Sequence, residues 1–172
     1  AIILIAILAV VIVGLVIGSK YYREGTAQPV KTDNKAQETL VRPDSPSIGP
    51  VDAKVTVVEF LDPECESCAA FAPVIKKLQK EFANDMRLVI RYAPFHKNAR
   101  VAALYTEAAG RQGKYWEMQE KLFSKQSEWG EVHGHGTPAG PPPDPRPKFE
   151  KYAEELGLNV DQLKAAAEDP EP

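Results

Sequence analysis

The stretch Val55-Thr56-Val57-Val58-Glu59-Phe60-Leu61-Asp62-Pro63-Glu64-Cys65-Glu66-Ser67-Cys68-Ala69-Ala70-Phe71-Ala72-Pro73 holds the only two cysteines of the 172-residue chain. An apolar, β-branched run leads into them and a helix-forming run leads out. Strand, Cys-x-x-Cys, helix is the context in which this spacing reads as redox chemistry. Two intervening residues put both sulfurs within one helical turn, so a disulfide can close and open there. A helix that begins near Cys65 points unpaired backbone N–H groups at its sulfur, and these favour the thiolate. The thiolate is the attacking species, so Cys65 reads as the nucleophile. Cys68, one turn in, reads as the more buried thiol that resolves a mixed disulfide. Glu66, Asp62 and Glu64 place negative charge nearby and oppose the thiolate. They predict a less oxidising couple than a neutral intervening pair, by an amount that salt would screen if all three are exposed.

Two more positions fit this chemistry. Glu59 shares the strand parity of Val57, which turns it inward, where a buried carboxylate below the cysteines can take the proton from Cys68. The alternative is an edge-exposed strand residue. Pro73 falls inside the helical pattern Phe71, Val74, Ile75, Leu78, Phe82 and should kink that helix, unless the helix begins near Pro73.

The pattern strand–Glu–x5–Cys-x-x-Cys–x4–Pro resembles the thioredoxin superfamily. Together with the later run LVIRYAPFHKNARVAALYTEAAGRQGKYWEMQEKLF (88–123), it resembles the DsbA-like thiol:disulfide oxidoreductases of bacterial envelopes over roughly residues 49–163. The resemblance implies an α/β, thioredoxin-like fold with a helical insertion. It also implies Cys65 as nucleophile, Cys68 as resolving cysteine and Glu59 as buried acid. The family has a cis-proline facing the cysteines. Here Gly136-Thr137-Pro138 runs into Ala-Gly-Pro-Pro-Pro, which cannot be a strand, so no cis-proline is carried over. The second β-β-α half is expected to be missing after Pro172, and the chain reads as a fragment at both ends.

Outward from this centre, three regions are expected. Residues 1–19 are uncharged and apolar, about the length that spans a bilayer as a helix, and Lys20, Tyr21, Tyr22 and Arg23 follow as an interface belt. This predicts an uncleaved transmembrane anchor. Residues 20–50, with Pro29, Pro43, Pro46 and Pro50, read as a flexible linker. Residues 51–172 read as the partial thioredoxin-like domain, with a helical insert over about 97–168. Strands are expected at Val51–Leu61 and Met86–Tyr92, joined by a helix over Glu66–Asn84 in a right-handed parallel crossover. Further helices are expected at Asn98–Ala109, Lys114–Lys125, Lys148–Leu156 and Val160–Glu168, the last capped by Asn159 with Gln162 completing a capping box. Trp116, Phe123 and Trp129 read as core residues, with a groove as the alternative. Trp129 to Pro147, with six prolines from Pro138 onward, reads as a loop.

Composition removes other classes. Net charge is −3, with no basic stripe for nucleic acid. Two cysteines cannot staple a scaffold, and they make a zinc site only with help, for which His133 and His135 have ligand-like spacing. His96, after the second strand, reads as a structural or loop histidine rather than a site residue. The Lys76-Lys77 pair reads as a solvated helix face. The resulting expectation is a membrane-tethered thiol:disulfide oxidoreductase with no cofactor. It would act on protein cysteines on the periplasmic side of a bacterial envelope, and a membrane redox partner would turn it over. Lys20 and Arg23 alone would favour the cytoplasm, but thiol oxidation favours the oxidising side. The alternatives are a copper- or zinc-binding module built on the two thiolates, or an inert thioredoxin-like interaction domain.

Overall fold

The computed structural model describes residues 11–22, 39–131 and 143–168. It divides into two compact units, residues 1–39 and 40–172. In the first, residues 11–22 are helical. Residues 1–10 of the expected anchor lie outside the described residues. Among the described residues, no helix is long and apolar enough to cross a membrane.

The second unit is built on a three-stranded sheet in the order β1-β3-β2. Strand β2 (Val55–Leu61) and strand β3 (Met86–Tyr92) run parallel, in register from Val55 opposite Met86 to Leu61 opposite Tyr92. Helix α1 (Glu66–Glu81) forms the crossover between them. The sequence places β3 at its observed bounds because Leu88, Val89 and Ile90 are a continuous apolar run. A central strand covered on both faces needs such a run, and these three residues are at most 2% exposed.

The linker boundary at Pro50 is corrected. Ser47–Ile48 form strand β1, antiparallel to β3, with Ser47 opposite Val89 and Ile48 opposite Leu88. The pairing uses backbone groups, which a polar, proline-flanked segment supplies as well as any other. Gly49 then turns the chain with φ of 103° and lies against the Met86 carbonyl. Only glycine accepts that combination without strain. Residues 23–38 of the expected linker lie outside the described residues.

The helices after β3 are α2 (Ala99–Gly110), α3 (Tyr115–Ser124), α4 (Gln126–Trp129), α5 (Arg146–Glu155) and α6 (Val160–Glu168). They enclose one cluster centred on Trp129, Phe149, Met118, Leu122 and Leu163, all at most 1% exposed. Phe149 meets Trp129 edge-to-face at 5.0 Å and Tyr105 at 5.4 Å, a favoured arrangement of ring quadrupoles. Trp129 closes its indole N–H on the Leu122 carbonyl at 2.9 Å, so its polar atom is satisfied inside the core. Trp129 ends helix α4 rather than opening a loop.

Asn159 caps α6 as expected, its Oδ1 accepting the Gln162 N–H at 2.9 Å. The Asn159 N–H donates to Oε1 of Gln112 at 2.9 Å, rather than to the Gln162 side chain that a capping box would use. Gln112, from the end of α2, therefore closes the cap across the bundle.

A second cluster joins the sheet to α1 and contains Leu61, Leu88, Ile90, Val57, Cys68 and Ile75. The apolar face assigned to α1 is corrected here. Ile75 turns inward, but Phe71, Val74, Leu78 and Phe82 are exposed. The helix is apolar on more than one side, so periodicity left its rotation open. Anchoring Cys68 and Ile75 against the sheet fixes that rotation. Pro73 sits inside α1, which continues through it.

Candidate active site

Cys65 is the N-cap residue of α1, in extended conformation with φ of −72° and ψ of 120°. Its carbonyl accepts the Ala69 N–H at 3.0 Å, and its own N–H donates to the Asp62 carbonyl at 3.1 Å. The helix thus starts at the first cysteine, as the sequence predicts, and Cys65 stands at the positive end of the helix dipole. Both thiols are free and partly exposed. Cys68 follows one turn on, where its thiol feels both the Cys65 side chain and the Asp62 backbone. Burial pushes the Cys68 thiol up, and the charges of Cys65 and Glu59 push the same way, while the Asp62 backbone bond pulls it down. A thiol held up in this way carries its proton until a base removes it.

Glu59 lies on β2 opposite Ile90, at the same parity as Val57 and Leu61. It is partly buried rather than edge-exposed. Burial raises its carboxyl above the usual 4.5, and its charge acts on Cys68. Glu59 also lines a cavity of about 660 Å³ bounded by α1, the sheet and α3. Trp116 and Phe123, assigned to the core, are half-buried on the wall of that cavity. Lys76 reaches from α1 to the Glu120 carboxylate at 2.7 Å, so it bridges two helices as well as facing solvent.

The largest departure from the sequence reading is in the Asp62-Pro63-Glu64 turn before Cys65. Neither carboxylate is exposed: Asp62 is 4% and Glu64 3% accessible. Oδ1 of Asp62 accepts the Glu64 N–H at 2.8 Å. Its Oδ2 accepts the N–H groups of Phe95 at 2.7 Å and His96 at 3.1 Å, and lies 2.8 Å from His96 Nδ1. Burial alone would raise the Asp62 carboxyl. The bonds from His96, Glu64 and Phe95 outweigh it and hold the group below its usual 3.8. His96 is correspondingly raised from 6.5, chiefly by its bond to Asp62.

Glu64 acts in parallel. Oε2 accepts the Asn98 N–H at 2.6 Å and Oε1 the Glu131 N–H at 2.8 Å. The Asn98 amide reaches the Trp129 carbonyl at 3.0 Å, and Gln126 reaches the Pro63 carbonyl at 3.1 Å. The turn carrying Cys65 is thus tied to the β3–α2 loop and to the end of α4. One signal for this was present in the sequence. Aspartate followed by proline in a turn commonly accepts the N–H two residues on, which is what Asp62 does with Glu64.

A second polar group lies in the domain interior. The Tyr92 and Tyr115 hydroxyls are 2.7 Å apart, and the Glu107 carboxyl acts on both. Burial raises both phenols and the Glu107 carboxyl.

His133, His135 and the Gly136-Thr137-Pro138 segment lie outside the described residues. Among the described residues, no three His, Cys, Asp or Glu side chains cluster as a metal site would require.

A parallel βαβ unit with a Cys-x-x-Cys at the helix N-terminus defines a thioredoxin-like α/β protein. Residues 42–169 match the family model described as Thioredoxin, and the chain belongs to that family. A thioredoxin-like oxidoreductase from Silicibacter pomeroyi DSS-3 superposes with a TM-score of 0.60 at 27% identity, covering 77% of this chain and 68% of that one. Oxidised BdbD from Bacillus subtilis superposes with a TM-score of 0.59 at 28% identity, covering 74% and 67%. A Na(+)/H(+) antiporter NhaA from Herminiimonas arsenicoxydans is 34% identical over 122 residues, which are 71% of this chain and 17% of the relative. The chain therefore spans about a sixth of that curated relative.

Proposed function

We propose that the chain is a thiol:disulfide oxidoreductase domain that exchanges disulfides with cysteines of partner proteins. The observation that carries this reading is the pair of free thiols at the start of α1, Cys65 as its N-cap and Cys68 one turn in, with the Glu59 charge acting on Cys68 from the strand behind.

In the oxidising direction, a thiol of the substrate, as thiolate, attacks the Cys65–Cys68 disulfide at Cys65. An S–S bond forms between substrate and Cys65, and Cys68 leaves as thiolate and takes a proton. A second substrate thiolate then attacks the substrate sulfur of the mixed disulfide and expels Cys65. Two electrons and two protons pass from substrate to the cysteine pair. The reducing direction runs the same steps backward: Cys65 attacks the partner's disulfide, and Cys68 loses its proton and displaces the partner. Glu59 is the base or acid for the Cys68 proton, since burial raises its proton affinity towards that of the thiol it serves.

We further propose a tether through residues 1–19, a periplasmic or otherwise extracytoplasmic location, and a membrane redox partner that resets the pair. The uncharged run at residues 1–19 supports the tether, and thiol oxidation supports the compartment.

A redox titration of Cys65 and Cys68 against glutathione buffers, read by mass after alkylation, tests the activity. A reversible two-electron couple that is lost in Cys65→Ser supports it. Thiols that do not equilibrate, or that alkylate only after a chelator is added, reject it in favour of an inert domain or a metal module.

A further inference from the structure

Asp62 touches the redox site with its main chain and the rest of the fold with its side chain. Its carbonyl accepts the Cys65 N–H at 3.1 Å, and its backbone pulls the Cys68 thiol down, in the sense that favours thiolate. Its carboxylate is held at one end of a four-bond set, three of whose donors belong to Phe95 and His96. The fourth donor is the Glu64 N–H. A shift of this carboxylate therefore moves the peptide groups that meet both cysteines.

We propose that Asp62 is a positioning residue for the cysteine pair, and that the protonation state of His96, acting through Asp62, tunes the exchange equilibrium of Cys65 and Cys68. The proposal rests on the oxidoreductase reading and adds a control to it. Three acids face His96: Asp62 at the end of β2, Glu64 in the following turn and Glu131 after α4. Lys97, the neighbouring cation, is paired with Glu131 at 2.9 Å.

With His96 charged, both partners of its bond to Asp62 are ionised, and the pair is held more strongly than a neutral imidazole holds the same carboxylate. The turn is then held tightly, and the Asp62 backbone is presented squarely to Cys68. That contact favours the ionised sulfur, which only the reduced pair can form, and so shifts the pair towards the reduced state. Loss of the His96 proton loosens the turn and shifts the pair towards the disulfide. Because His96 is raised from 6.5, the tight state is complete below that pH and is lost as pH rises through the raised value.

The experiment measures the equilibrium constant of the pair against glutathione over a pH series, for the wild type, Asp62→Asn and His96→Gln, with circular dichroism and thermal melts to establish folding. Both variants are expected to favour the disulfide, Asp62→Asn by about fivefold, the equivalent of one net hydrogen bond. Both should also lose the inflection that the wild type shows above pH 6.5. If Asp62→Asn does not fold, His96→Gln decides alone, since it leaves the carboxylate and its backbone donors in place. Folded variants that match the wild type at every pH overturn the proposal and leave the oxidoreductase reading intact. A wild type that does not equilibrate with glutathione overturns both.

Discussion

Nδ1 of His96 lies 2.8 Å from Oδ2 of Asp62, and that carboxylate is 95% shielded or better in a turn three residues before Cys65. The pair makes folding stability depend on pH at both ends. Asp62 is lowered from 3.8, so its contribution is present above that value and is lost as pH falls through the lowered one. His96 is raised from 6.5, so its contribution is present below that value and is lost as pH rises through the raised one. Urea unfolding across pH should show a maximum between these limits, and Asp62→Asn should flatten both shoulders.

Glu64 is buried with each carboxylate oxygen accepting a backbone N–H, from Asn98 and Glu131. Glu64→Gln replaces one acceptor oxygen with a donor amide that faces an N–H. The expected loss is about 2–3 kcal/mol, typical of an unsatisfied buried group beside a lost charged hydrogen bond. The check is the urea midpoint, with the slope unchanged.

Glu59→Gln removes the proposed proton acceptor for Cys68. Steps that require Cys68 to lose its proton should slow by on the order of a hundredfold, the low end for general acid–base catalysis. Removal of the Glu59 charge also eases ionisation of Cys68, which offsets part of the loss. Mixed disulfide with a model substrate should therefore accumulate, read by mass in a quenched time course. Resolution at the wild-type rate would remove Glu59 from the mechanism.

Phe149 is fully buried between Trp129, Tyr105 and Tyr152. Phe149→Ala should cost about 3–5 kcal/mol. Thermal unfolding of the variant should come well below that of the wild type.

Gly49→Ala places a methyl against the Met86 carbonyl at a backbone conformation that alanine rarely adopts. Strain of about 1–3 kcal/mol is expected. Hydrogen exchange should show the loss first at β1, whose two residues depend on that turn.

Much of the frame was legible in the sequence because it is local. β3 is a seven-residue strand, and the apolar run Leu88-Val89-Ile90 at its centre shows it. The start of α1 at Cys65 follows from the break at Pro63 and the helix formers after it. Asn159 as a cap was readable from its own turn. β1 was not, because two residues with little apolar content acquire their pairing only from β3. The rotation of α1 was not readable either, since apolar residues occur on more than one of its faces.

The sequence by itself determined the pair Cys65 and Cys68, their order along the helix and the inward parity of Glu59. These follow from spacing within one helix and one strand, and backbone periodicity fixes such relations without help from elsewhere. Only the tertiary structure decided that Asp62 and Glu64 are buried rather than screened charges, and that His96 belongs with them. Their long-range donors come from Phe95, His96, Asn98 and Glu131, 33 to 67 residues away along the chain. A carboxylate can leave water only where enough N–H groups converge to replace its hydration, and folding alone brings those loops together.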